Sequence, residues 1–107
     1  MIQQLEISFS ELPVSKIFNL DGKDFELRFT YNSKFDFISV EIYIDTEFLH
    51  STKLMYGSDI FTNTNLSSIP LIPYSSENLS KEKIDPIAVN KETFGKSVFL
   101  MFEDGSN

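Results

Sequence analysis

Few groups in the sequence could make or break a bond, and the most suggestive is Phe94-Gly95-Lys96-Ser97, which matches the end of a phosphate-binding loop. That loop needs a glycine five places earlier, where Asn90 stands, and a helix whose N-terminal amides face the phosphates. Val98 to Phe102 reads as a strand instead, so phosphate binding is set aside. His50 is the sole histidine, and the chain has no cysteine. A hydrolytic triad or a histidine metal pair needs partners that are missing, so His50 reads as a solvent-facing or interface residue on a strand. Asp36, Glu41, Asp45 and Glu47 gather around one hairpin and are the candidates for a paired-carboxylate hydrolase or a calcium site. Asp45 and Glu47 read more simply as turn residues, and Glu41 as an outward strand residue. The segment ending in Asp21-Gly22 fails the calcium-loop spacing, because Ile17 falls at the first ligand position. The triplets Asn65-Leu66-Ser67 and Asn78-Leu79-Ser80 match a glycosylation signal that has no meaning without a secretion route. No catalytic residue, metal set or cofactor motif is assigned.

Composition narrows the classes further. At 107 residues the chain is expected to form one domain over 1–107, burying roughly two-thirds of its extended surface in a single core. The absence of cysteine removes any disulfide framework and any need for an oxidising compartment. The first residues, Met1 to Glu6, carry neither a basic region nor an apolar run, so a signal peptide is not expected. No run of about 18 apolar residues occurs, so no membrane-spanning helix is expected. Nine Lys and Arg against sixteen Asp and Glu give a charge of −7, which a phosphate backbone repels; nucleic-acid binding is not expected. Eleven Phe, four Tyr and no Trp point to a sheet core or an adhesive subunit interface.

Most elements that would position these groups read as strands. Leu5, Ile7 and Phe9 alternate with Glu6 and Ser8. Ser15 to Leu20 follows Pro13, and Asp21-Gly22 is a strong hairpin signal because glycine adopts positive φ without steric penalty. Phe25, Leu27, Phe29 and Tyr31 share one face of the next strand. The apolar parity then shifts within Phe35 to Ile44, which predicts either a bulge near Phe37 and Ile38 or cover on both faces. Asp45-Thr46-Glu47 turns the chain into Phe48 to Leu54. A meander of this kind is expected to make a mostly β fold, a single small antiparallel β-barrel or barrel-like sandwich with at most one or two short helical turns.

The second half is less regular. Gly57 to Phe61 suggests one helical turn capped by Ser58. Ile69 to Tyr74 is apolar but broken by Pro70 and Pro73, which suits a sheet edge. Residues 75–93 form a long polar loop, with a short helix suggested near Lys81 to Ile84. Ser97 to Phe102 reads as a closing strand covered on both faces, and 103–107 as a flexible tail. Ile60, Phe61, Leu66, Ile69, Leu71 and Tyr74 are apolar residues in a turn- and proline-rich setting. They are candidate partner contacts, with the alternative that they fold back to cap the open end of a barrel.

The layout resembles a known family. Its marks are the Asp21-Gly22-Lys23 hairpin, the Phe25-to-Asn32 strand, the strand ending Val40-Glu41-Ile42-Tyr43-Ile44-Asp45, Lys53 to Ile60 with Gly57 and Asp59 before an apolar pair, and Phe94-Gly95 before Val98 to Phe102. These are similar to the small baseplate plug proteins of contractile-tailed bacteriophages and phage-tail-like particles. Phe94 stands where leucine is commoner in that family. The resemblance implies a virion structural protein, assembled in the host cytoplasm and located in the tail baseplate. It implies contacts with hub and tube-initiator subunits, in one or several copies, and no catalytic residues. Two other classes remain: a small binding module for a carbohydrate or peptide, with Tyr31, Tyr43 and Tyr56 around one groove, and a hydrolase using two of Asp36, Glu41 and Asp45.

Overall fold

The computed structural model describes residues 2–75 and 88–103. Seven strands, β1 (Ile2–Gln4), β2 (Val14–Leu20), β3 (Lys23–Asn32), β4 (Phe37–Ile44), β5 (Glu47–Lys53), β6 (Ile72–Ser75) and β7 (Val98–Glu103), build two antiparallel sheets. The larger has the order β2-β3-β4-β5 and the smaller β1-β7-β6. A single 3-10 turn, Phe9–Glu11, is the helical content among the described residues. The expected mostly β fold is present. A closed barrel is not: among the described residues no strand ladder joins the two sheets.

Turn chemistry sets the meander. Leu20 pairs with Lys23 across a two-residue loop in which Asp21 (φ 54°) and Gly22 (φ 74°) both have positive φ, as a type I′ turn requires. Ile44 pairs with Glu47 in the same way across Asp45 (φ 50°) and Thr46 (φ 67°). Between β3 and β4 the loop is longer. Asn32 Oδ1 accepts from the amides of Lys34 and Phe35 at 3.0 and 3.1 Å, a local turn that competes with continuing the ladder. Phe35 therefore sits in the loop and β4 starts at Phe37. This explains the parity shift without a bulge at Phe37 and Ile38. The bulge lies elsewhere, between Ile42/His50 and Tyr43/Phe48, and leaves Leu49 as the extra residue of β5.

Period-two alternation on β3 and β4 puts Phe25, Leu27, Phe29, Ile38, Val40 and Ile42 on the inner face, all fully buried. Val98 and Leu100 of β7 join the same core cluster from the smaller sheet. Each such side chain contributes roughly 2 kcal/mol by leaving water. The connections complete the packing: Phe61 lies against Phe25, with ring centroids 5.1 Å apart, and Phe94 against Phe29 at 6.1 Å.

The first expected strand is corrected. Leu5 donates its amide to Leu100 O at 2.8 Å, and Leu5 and Ile7 are buried, yet the strand ends at Gln4. The chain turns because the Ser8 amide donates to Glu11 Oε2 at 2.7 Å and the Glu11 amide to Ser8 O at 3.1 Å. Phe9 thereby leaves the alternation and meets Tyr31 edge-on at 4.7 Å. The expected helical turn over Gly57 to Phe61 is a pair of successive turns instead, Thr62 N to Asp59 O and Thr64 N to Phe61 O. Asp59, not Ser58, takes the capping position. β6 is an edge strand of its sheet, as its proline suggests, and β7 is central. The helix expected near Lys81 to Ile84, most of the 75–93 loop and most of the tail lie outside the described residues.

Candidate partner-contact surface

Three of the six candidate contact residues are in the core. Ile60 and Phe61 are each 2 % exposed and Leu71 is fully buried. They take the second course open to them, folding back over the meander, because Asp59 Oδ1 accepts from the amides of Phe61 (3.1 Å) and Leu71 (2.9 Å) while Ile60 N donates to Leu71 O (3.0 Å). Leu66, Ile69 and Tyr74 are half-buried. Tyr74 stacks on Tyr56, centroids 5.2 Å apart and planes 12° from parallel, and the Tyr56 hydroxyl accepts from the Ser75 amide.

Among the described residues, the large apolar side chains that do face solvent are Ile17, Phe35, Phe48 and Met55. They fall in two places. Ile17, Glu26, Tyr43 and Phe48 form one transverse row on the outer face of the larger sheet, read across β2, β3, β4 and β5. The Arg28 guanidinium lies 4.0 Å over the Tyr43 ring, and Phe48 meets that ring edge-on at 5.6 Å. Phe35 and Met55 lie at the loop end, bordering a depression of about 430 Å³ with Phe37, Lys53, Tyr56 and Val89. The parity break at Phe35 was the sequence signal for the second patch. Ile17 and Phe48 occupy ordinary outward strand positions, which only the pairing register brings into one row.

The described candidate carboxylates lie in separate settings. Asp36 Oδ1 accepts from the Tyr31 hydroxyl at 2.6 Å and from the Lys91 amide at 3.2 Å, and the hydroxyl contact is the main reason its carboxyl lies below the ordinary 3.8. Glu26 is likewise lowered, first by the Ser15 hydroxyl at 2.7 Å and then by Arg28 at 2.9 Å. Glu41 accepts from the Tyr43 hydroxyl on the outer face. Asp45 is in the β4–β5 turn. Asp36, Glu41 and Asp45 thus belong to three settings, and among the described residues no three His, Asp or Glu side chains are placed to hold a metal. His50 is half-buried opposite Ile42.

Phe94-Gly95-Lys96-Ser97 is a tight turn whose amides are already used. Those of Lys96, Ser97 and Val98 converge on Thr93 O at 3.0, 3.0 and 2.9 Å, and that of Gly95 donates to Val98 O. No phosphate cradle is left. Tyr31, Tyr43 and Tyr56, the marks of a carbohydrate- or peptide-binding groove, pack against Phe9, Arg28 and Tyr74 respectively. No helix among the described residues is long and apolar enough to cross a membrane.

Among the described residues the surface carries apolar and cationic patches, which suit protein contact. Over residues 2–105 the sequence matches the family described as cyanophage baseplate Pam3 plug gp18. No curated protein and no solved structure matches it.

Proposed function

The chain belongs to the phage baseplate plug family, and from that premise we propose that it closes the central hub of a contractile tail through protein–protein contacts. The observation that carries this reading is the reach of the family match, which runs from β1 through β7. Membership makes the protein a structural component of the virion tail baseplate. Hub and tube-initiator subunits are the proposed neighbours, met in one or several copies after assembly in the host cytoplasm.

The surface supports a plug held from more than one side. Ile17 and Phe48 mark the outer face of the larger sheet, and Phe35 and Met55 mark the loop end. Leu66, Ile69 and Tyr74 contribute rim contacts, while Ile60, Phe61 and Leu71 act from beneath by fixing the connection that carries them. Removing the protein tests the reading: negative-stain images of tails assembled without it should show unstable baseplates or an open lumen. Intact, closed baseplates in its absence would overturn the proposal.

A further inference from the structure

The loop end differs in charge from the rest of the chain. Lys34 Nζ lies 5.3 Å from the Phe35 ring centroid and Lys53 Nζ 4.9 Å from that of Phe37, so both aromatics are rimmed by cations. The backbone of Lys91 is joined to the same loop through Asp36. Among the described residues Asp36 and Glu92 are the carboxylates of this end, and Asp36 already accepts two hydrogen bonds. Three lysines against these two carboxylates leave +1 among the described residues of this end, in a chain whose total is −7. Phe35 is 67 % exposed and Met55 58 % exposed within this rim. An end of this kind attracts what the rest of an acidic protein repels.

The edges of the larger sheet are less suited to a partner. Lys16 on β2 lies opposite Leu27, on the inner side, and bridges to Glu11 at 2.9 Å; β5 is bulged at Leu49. Inward charges and bulges are how edge strands resist strand addition. Recognition at the loop end therefore runs through side chains.

We infer that this end seats an acidic segment of another baseplate subunit, its apolar anchor against Phe35 and Met55 and its carboxylates toward Lys34 and Lys53. The inference rests on the plug reading and names the chemistry of one of its partners. Nucleic acid offers the same negative charge, but the −7 of the whole chain opposes a long polyanion.

The experiment places the photo-cross-linker p-benzoylphenylalanine at position 35 in the full chain, within assembled tails, and identifies the joined peptide by mass spectrometry. The expected product joins position 35 to a subunit segment in which Asp and Glu outnumber Lys and Arg. In parallel, the pair Lys34→Glu and Lys53→Glu should lower incorporation of the protein into tails by about tenfold or more with unchanged circular dichroism. A cross-link to a neutral or basic segment, to a second copy or to nucleic acid would overturn the inference. So would no cross-link, or undiminished incorporation of the charge-reversed chain. With the unaltered protein still present in the tails, each of these leaves the plug reading standing. Absence of the unaltered protein from the tails would remove both.

Discussion

The Leu71 amide donates to Asp59 Oδ1 at 2.9 Å across twelve residues of connecting chain. The same oxygen takes the Phe61 amide, and the Gly57 amide (φ 77°) donates to Pro73 O at 2.9 Å. One carboxylate thus ties the exit from β5 to the entry into β6, holding Phe61 on Phe25 and Leu71 in the core. Asp59→Ala removes an acceptor from two amides, both on buried residues, and should destabilise the fold by roughly 1–3 kcal/mol. Asp59→Asn keeps an acceptor oxygen and should lose less. Urea unfolding followed by circular dichroism separates the two; equal losses would mean that the hydrogen bonds are not what Asp59 supplies.

Gly95 is the tightest backbone approach among the described glycines. It has φ 77°, and a Cβ there would lie 2.7 Å from Ile7 O and 2.8 Å from Ser8 Cα, both backbone atoms. Gly95→Ala should therefore cost about 2 kcal/mol or more, from left-handed strain plus overpacking. Gly22→Ala, with similar φ but open space, should cost about 1 kcal/mol. Thermal melts of the two variants should rank in that order.

Thr46 is the reverse case. It is β-branched and holds φ 67° in a two-residue turn where glycine is the favoured residue. Thr46→Gly should raise stability by about 1 kcal/mol, seen as a higher urea midpoint at unchanged slope.

Acid should weaken the fold in a defined window. Glu11, Asp21, Glu26 and Asp36 all lie below their ordinary values of 4.5 or 3.8, held there first by the Ser8 amide, the Ser68 amide, the Ser15 hydroxyl and the Tyr31 hydroxyl respectively. A carboxyl whose folded value is depressed adds stability that is complete above its unfolded value and is lost as pH falls through the folded one. The melting temperature should accordingly be little affected by these groups near neutrality and fall below about pH 4. Asp36→Asn should flatten that acid decline. The Tyr31 hydroxyl, raised by the same contact, loses its share only as pH climbs past 10, the ordinary tyrosine value.

Local chemistry was readable where it acts over a few residues. Asp21-Gly22 declares its turn because only positive φ closes a two-residue hairpin there, and Phe25, Leu27 and Phe29 declare their face by alternation. The misread positions depend on distant partners. Phe9 looks like a strand residue until the Ser8–Glu11 contact turns the chain. Ile60, Phe61 and Leu71 could contact a partner or fold back, and only the reach of Asp59 to Leu71 shows them folded back. The Ile17–Phe48 row exists only through the register of four strands and a bulge at Leu49. No spacing rule encodes it.

The most direct measurement is a three-dimensional electron-microscopy map of the assembled tail at a resolution that separates strands. The plug account predicts the two sheets on the tail axis, spanning the lumen at the baseplate, with the Phe35–Met55 end against a neighbouring subunit. Finding the protein at the periphery of the baseplate, or an unobstructed axis with the protein absent, would contradict it.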